Sequence, residues 1–481
     1  MNILFLLPDQ LRPDFLSCYG AQFIHTPNID ALCNAGVLYR HAVSPTPICV
    51  PARASLLTGL NSAQHGVLEN YSWLRPDRAA CGMPSWPELL SDAGYHTAGI
   101  GKMHFYPWDK SEGFAQRIIS EDKRHIYVHD DYAVYLEAHG LRKYHGNEHD
   151  GYFENKGAIV SKIPAEHQVD KWVADRTCEF LETYTGDKPF ALMVGFPGPH
   201  CPYDPPIEYA NLYRPEDMPA SIPATDDSRV FRELVIAMNK RPWNQVDYTD
   251  FQEHHKRKIR AHYAALVHQI DLQIGRILAT LQASRFADDT LIIFASDHGD
   301  FLGDYDLIGK HLFYEPSLRV PLIVKTPQAH DTRAIGDLVS LTDVTATLLD
   351  FAGISLSARH DAVVLPGLDR PRTRSRETIL GATDLGLMIA DAEWKLCRYK
   401  NGHVALYNLS EDPHEQHNLA YQSTALAEMK RMDTLLQQAL LDALLVNNGD
   451  KFVEKSRYQG RGEFGQPGWQ RPYPASLAER T

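Results

Sequence analysis

The side chains of this sequence that could do chemistry fall into a few tight groups: Asp9-Gln10, Cys49 with Arg53, Lys102 with His104, His200, Asp297-His298, and Lys310. Carboxylates, an amide oxygen and an imidazole are ligands for a divalent cation, while two lysines and an arginine offer charge to a tetrahedral anion. The histidines beside them could carry protons. Cys49 opens the stretch Cys49-Val50-Pro51-Ala52-Arg53-Ala54-Ser55-Leu56-Leu57-Thr58-Gly59. Its early proline, helix formers and closing glycine predict a short helix with Cys49 just before the N-terminus. Unpaired N–H groups and the helix dipole favour negative charge there, and Arg53 lies one turn along on the same side. Taken singly, each group has an ordinary reading: Cys49 as a small core residue, Asp9 and Asp297 as caps or turn residues, the lysines as solvated surface, the histidines as hydrogen-bonded core or surface groups. Their joint placement favours a site.

That placement depends on strands. Residues 3–7, 96–100, 190–196 and 291–295 are short apolar runs that predict strands buried on both faces. Each releases one group at its carboxyl end: Asp9-Gln10, Lys102 and His104, His200, then Asp297-His298, with Lys310 in the loop after. Strands are also predicted over 37–43 and 320–324, and helices over 26–32, 88–93, 169–184 and 263–281. The alternation argues for a mostly parallel, doubly wound α/β sheet, whose ligands bind outside the carboxyl ends of the strands. Residues 105–188 and 205–258 keep no period and predict insertions around a mouth, the first with one helix. Beyond a Pro/Arg/Thr-rich boundary near 370–376, short strands at 387–390, 394–399 and 403–409 and a helix at 425–445 predict a smaller C-terminal α+β subdomain. The expected division is a catalytic domain over 1–375, an antiparallel sheet plus helix over 376–450 and an extended tail over 451–481. That tail is rich in glycine and aromatics and cannot pack alone, so it is expected to dock on a neighbouring subunit, giving a homo-oligomer, a dimer or tetramer.

Composition narrows the partners. With 481 residues, 44% hydrophobic and 23% charged, the chain is an ordinary globular one, long enough for a large domain and a smaller one. A net charge of −13 opposes nucleic acid or an anionic membrane as partner, so any anion must meet a specific pocket. Seven cysteines without CxxC spacing fit neither a disulfide scaffold nor a zinc cluster, and predict reduced thiols in a cytoplasmic protein. No run approaches the ~20 apolar residues of a membrane span.

Cys49-Val50-Pro51-Ala52-Arg53 with its trailing Leu57-Thr58-Gly59 resembles the type I sulfatase signature, Cys-x-Pro-x-Arg. Gly101-Lys102-Met103-His104, Ser296-Asp297-His298-Gly299, Gly309-Lys310, and Leu406-Tyr407-Asn408-Leu409 with Asp412-Pro413 and Asn418-Leu419 are similar to the other landmarks of that family, in order and over nearly the whole chain. The resemblance implies an alkaline-phosphatase-like fold and hydrolysis of a sulfate ester of a small aryl, alkyl or sugar alcohol. It also implies conversion of Cys49 to formylglycine by a formylglycine-generating enzyme. One hydroxyl of the aldehyde hydrate then attacks sulfur and the other expels sulfate by C–O cleavage, where a plain serine would trap the intermediate.

By the same resemblance, Arg53 and Lys102 orient the nucleophile, His104 is the base that collapses the intermediate and His200 protonates the leaving oxygen. Lys310 and His200 hold the sulfate, and Asn70 adds a polar substrate contact. Asp9, Gln10, Asp297, His298 and the Cys49-derived oxygen bind one divalent metal, calcium, with manganese the alternative. Gln10 and His298 depart from the commonest pattern, which has Asp and Asn there, and resemble choline sulfatases and phosphonate monoester hydrolases. The Lys102 and His104 pairing favours the sulfatase branch. A phosphonate monoester or phosphodiester hydrolase of the same fold stays open, as does a non-catalytic anion-binding protein with unmodified Cys49.

Overall fold

The computed structural model describes residues 1–79, 81–327, 332–356, 360–371 and 374–447. At its centre is β1 (Asn2–Asp9), buried throughout. Alternation along this strand sends Leu4 and Leu6 into one core and Ile3, Phe5 and Leu7 into another. Two covered faces are why the run carries no polar position from Ile3 to Pro8. The remaining strands are β2 (Val37–Val43), β3 (His96–Gly101), β4 (Gln116–Ile119), β5 (Phe190–Pro199), β6 (Thr290–Ala295), β7 (Leu322–Lys325), β8 (Arg333–Ser340), β9 (Ile379–Thr383), β10 (Gly386–Ala390), β11 (Trp394–Tyr399) and β12 (Val404–Asn408).

Among the described residues, the first eight strands form one sheet in the order β4-β3-β5-β1-β6-β7-β2-β8. Five neighbours, β4, β3, β5, β1 and β6, run parallel, so their carboxyl ends open along one edge. β7 is antiparallel to both β6 and β2, which makes the sheet mixed. The long helix Glu253–Ala283 covers one face with Ile259, Tyr263, Ile270, Ile274 and Ile277. The other face takes Leu56 and Leu57 from helix Cys49–Thr58, Leu90 from helix Trp86–Asp92 and Leu348 from helix Asp343–Phe351. Each such aliphatic side chain stabilises the fold by about 1.5–3 kcal/mol on burial.

Several elements differ from expectation for identifiable reasons. Pro8 lies within β1 and does not end it; having no N–H, it coincides with a slip in the β1–β5 register between Pro8 and Asp9. Helix Cys49–Thr58 includes Cys49 as its first residue, with Pro51 inside the first turn, where the missing N–H costs nothing. Inside the 105–188 stretch lie β4, a four-residue edge strand, and helix Asp131–Ala138; inside 205–258 lies helix Asp226–Asn239. The edge strand is too short and too exposed to show a period. Helix Asp226–Asn239 buries only Ser228, Phe231, Val235 and Asn239, half of them polar. β8 and helix Asp343–Phe351, also unread, complete the β2 side of the sheet.

The strands β9 to β12 form a second, antiparallel sheet, against which helix Leu426–Asn447 packs Met432 and Leu436 over Leu396 and Leu406. It is keyed to the first unit by Lys395 of β11, buried with Nζ 2.6 Å from Glu315 and 2.7 Å from Glu415. The Tyr399 hydroxyl accepts from the Phe313 N–H at 3.1 Å. The tail at 451–481 lies outside the described residues. Among the described residues no helix is long and apolar enough to cross a membrane.

Candidate active site

Adjacent parallel strands place their exits side by side. Asp9 and Gln10 leave β1, Lys102 and His104 leave β3, His200 leaves β5, and Asp297 and His298 leave β6. Helix Cys49–Thr58 is aimed at this edge by Asn70, whose Oδ1 accepts the Val50 N–H at 3.0 Å. It is braced behind by His65, whose Nδ1 accepts from Val67 N–H and whose Nε2 donates to Ser55 Oγ at 2.8 Å.

Arg53 is 1% exposed and fully committed. Its Nε donates to Asp297 Oδ2 at 2.9 Å, Nη2 to Asp9 Oδ2 at 3.0 Å and Nη1 to the Lys102 carbonyl at 2.7 Å. That carbonyl can reach it because β3 and β5 nearly touch: a Cβ on Gly195 would collide with the Lys102 oxygen, and one on Gly101 with the Gly195 oxygen. Lys102 Nζ lies 2.7 Å from both Asp9 and Asp122. Burial by itself would push Asp9 up, as Cys49 does, but Lys102, His200 and Arg53 hold it well below the carboxylate range. Asp297 is raised, by burial and by neighbouring Asp9, against His298 and Arg53.

Cys49 Sγ sits 3.1 Å from Lys310 Nζ, 3.1 Å from His298 Nε2 and 3.9 Å from Asp9 Oδ1. Burial opposes a charged sulfur, yet Lys310, His298, Lys102 and a hydrogen bond from His104 outweigh it and hold the thiol well below its ordinary value. The structure therefore stabilises negative charge at this atom, the requirement for a nucleophile. His104 is held by its backbone N–H, which donates to Glu121 at 3.2 Å. Its buried Nδ1 has no partner among the described residues. Gln10 and His104 both adopt left-handed backbone, φ 69° and 60°, at a cost of about 1–2 kcal/mol each for residues with a Cβ. At Gln10 the strained turn is pinned by the Tyr263 hydroxyl, which donates to the Gln10 carbonyl at 2.6 Å and accepts from Arg12 N–H at 2.9 Å.

The donor set suits a cation. One ligand atom each from Asp9, Cys49, Asp297 and His298 lies within 4.8 Å of the others. His298 Nδ1 is spent on the Gly299 carbonyl at 2.9 Å, which leaves Nε2 directed at the group. Gln10 Oε1 accepts from Lys310 Nζ at 2.6 Å and so faces the same centre. Lys310 also reaches His200 Nε2 at 2.6 Å.

His200 differs from the proton donor expected from the sequence. Its Nδ1 donates to the Cys201 carbonyl at 2.7 Å, and its Nε2 accepts from Lys310 and, at 3.2 Å, from Arg124. Burial, Arg124 and Lys310 push it down to about 3, so here it is neutral. Asn70 lines the cavity but spends its oxygen on the helix, leaving its amide nitrogen for any contact with substrate.

Several participants went unread. Asp122 takes Lys102 and both arms of Arg124, at 2.8 and 2.9 Å, and Arg124 lies over the Trp243 ring at 4.5 Å. They follow β4, where nothing in the pattern marks a strand exit. The cavity above the centre, about 300 Å3, is walled by Arg124, Met238 and Trp243 from the two irregular regions and by Asp384, Leu385 and Lys400 from the small sheet. The small sheet's share is new, since the mouth was expected from the irregular regions alone.

His65 makes stability depend on pH. Burial pushes it down to about 3, against about 6.5 in an unfolded chain. Folded chains then bind fewer protons than unfolded ones between those values, so its contribution to stability is lost as pH falls below 6.5. In denaturant unfolding from pH 7 to 5, the parent should lose stability relative to His65→Gln by about 1.4 kcal/mol per pH unit below 6.5. Parallel curves would contradict this.

The Sulfatase family model matches residues 1–354 of the chain. An arylsulfatase of Clostridium perfringens is 30% identical over 452 residues, covering 87% of this chain and 90% of that protein. A choline-sulfatase of Rhizobium meliloti is 30% identical over 445 residues, covering 87% and 82%. The solved structure of a phosphonate monoester hydrolase of Agrobacterium radiobacter superimposes with a TM-score of 0.78 over 92% of this chain and 96% of that one, at 24% identity.

Proposed function

Because this chain belongs to the sulfatase family, within the alkaline phosphatase superfamily, and is a sulfuric ester hydrolase, we propose that it cleaves an aryl, alkyl or carbohydrate sulfate monoester to alcohol and sulfate through a formylglycine made from Cys49. The observation that carries this reading is the Cys49 sulfur, buried and ringed by Lys310, His298, Lys102 and His104. A formylglycine at this position would supply, as its hydrate, one oxygen to take the sulfuryl group and a second whose electron pair, as the aldehyde re-forms, expels that first oxygen as sulfate. Asp9, Gln10, Asp297 and His298 would hold a divalent ion, which would supply Lewis-acid activation there. Calcium suits the oxygen donors, with manganese the alternative because of the imidazole.

The chain's own residues do the rest. Lys310 and His200 face the anion together and clamp its oxygens as charge builds there. Lys102 and Arg53 lock Asp9, and Arg53 also locks Asp297, so that these carboxylates do not swing away from the nucleophile. The leaving oxygen takes its proton from the Lys310–His200 pair, His200 being charged only once an anion offsets Arg124 and Lys310. His104, whose ring already hydrogen-bonds to residue 49, is placed to withdraw a proton from the oxygen there. The reading includes a cytoplasmic protein, matured by a formylglycine-generating enzyme and assembled as a homo-oligomer through 451–481.

A second reading, a phosphonate monoester or phosphodiester hydrolase, is favoured by the amide at Gln10, which lowers the ligand charge, and by the imidazole at His298, which softens the site. Both substrate classes are singly charged anions that Lys310 could clamp. Turnover of matched panels of sulfate monoesters, sulfated sugars and phosphonate monoesters by the matured protein separates them. The first reading expects kcat/KM to be highest on a sulfate; a preference for phosphonates over every sulfate would overturn it.

A further inference from the structure

Gln10 holds an oxygen toward the centre only if its amide is turned one way, and an amide can turn either way. Asp300, 0% exposed and five residues beyond β6, settles the choice. Its Oδ2 accepts from Gln10 Nε2 in a very short bond and from the Tyr203 hydroxyl at 2.7 Å. Its Oδ1 accepts from the Leu302 and Gly309 N–H groups at 3.1 and 3.0 Å. Four donors fix this carboxylate in place. On the other side of the amide, Lys310 Nζ meets Gln10 Oε1 at 2.6 Å. A carboxylate only accepts and an ammonium only donates, so the two neighbours together hold nitrogen toward Asp300 and oxygen toward Lys310, which also meets Cys49 Sγ at 3.1 Å.

We propose that Asp300 is a positioning residue for the metal centre, fixing the Gln10 amide with its oxygen inward. It also places a negative charge one bond behind a neutral ligand, which makes the amide oxygen a better donor. The hydrogen bonds of the Asp300 carboxylate go to Gln10, Tyr203 and backbone N–H groups, so its effect on the centre passes through Gln10. This rests on the reading that Asp9, Gln10, Asp297 and His298 hold a divalent ion.

Metal-stripped full-length protein is titrated calorimetrically with calcium and with manganese, in the parent, Asp300→Asn, Gln10→Glu and the double variant. In Asp300→Asn the side-chain nitrogen faces the Gln10 nitrogen, the amide turns over, and affinity should fall about 10–100-fold, the range for outer partners of metal ligands. Gln10→Glu alone sets two carboxylates against each other and should not gain affinity despite its added charge. The double variant puts an amide donor behind a carboxylate at position 10, which offers an oxygen inward whichever way it turns, and should recover at least parental affinity. A merely structural role would lower the metal-free thermal midpoint in the single and double variants alike without this rescue. The inference is overturned if Asp300→Asn binds within about threefold of the parent, or if the double variant stays as weak as the single. Should Asp300→Asn not fold, tight binding by Gln10→Glu alone would overturn it equally. A parent that binds neither ion would sink the metal reading as well, whereas a parent that binds beside an unaffected Asp300→Asn sinks only this inference.

Discussion

Cys49→Ala is expected to abolish ester hydrolysis, by about 10^4-fold or more, the scale on which removal of a nucleophile is felt. The fold should survive, because alanine is a good helix former and the helix is held by other contacts: Asn70 at its N-terminus, Arg53 across its first turn and His65 behind Ser55. Circular dichroism and a thermal midpoint near the parental one would separate lost chemistry from lost structure. Cys49→Ser sharpens the result. A serine hydroxyl can take a sulfuryl group but has no second oxygen on its carbon to release it, so the variant should give one equivalent of alcohol and stop. Burst kinetics with a chromogenic sulfate read this directly. Sustained turnover by either variant would refute the nucleophile assignment, and an unmodified thiol in a fully active parent, by peptide mass spectrometry, would refute the formylglycine.

Arg53→Ala should be the most destabilising single change in the site. Asp9 would keep Lys102, but Asp297 would lose its guanidinium while remaining 0% exposed. Breaking a buried pair from one side costs about 3–5 kcal/mol, because the remaining charge has no water to replace its partner. Calcium or manganese should narrow the gap between parent and variant. The site without Arg53 carries more uncompensated negative charge, binds a cation more tightly and gains more from it by mass action. Thermal melts with and without metal test this; a gap unchanged by metal would mean that Arg53 shares no charge with the ligand carboxylates.

The residues that collect at this edge were legible because four buried runs end abruptly in polar groups, and a parallel sheet puts such ends together. Asp9, Lys102, His200 and Asp297 needed only strand detection and the rule about carboxyl ends. The supporting layer was not legible in the same way. Asp122 and Arg124 follow β4, whose exposed and half-buried residues carry no apolar pattern because an edge strand packs on little. Asp300 stood in plain view after Asp297-His298, but its task depends on Gln10 and Tyr203, which are distant in sequence. Tyr263 read as one core residue among many on a helix face, since only the third dimension brings its hydroxyl to the Gln10 carbonyl. The proton state of His200 likewise depends on Arg124, an unread neighbour.

Lys395 reaches from the small sheet into the larger unit, and its two carboxylate partners lie on opposite sides of the seam. Glu315 comes only five residues after Lys310, and the Glu315 N–H donates to Glu415 at 2.8 Å. The loop that carries Lys310 is thus moored at its far end to the C-terminal sheet, and Asp384 and Lys400 beside that sheet's strands wall the cavity. Change in the C-terminal sheet can therefore reshape the cavity without touching Cys49 or its neighbours, while its loss would remove the far mooring of the Lys310 loop. The two sheets are separate in topology but wall one cavity.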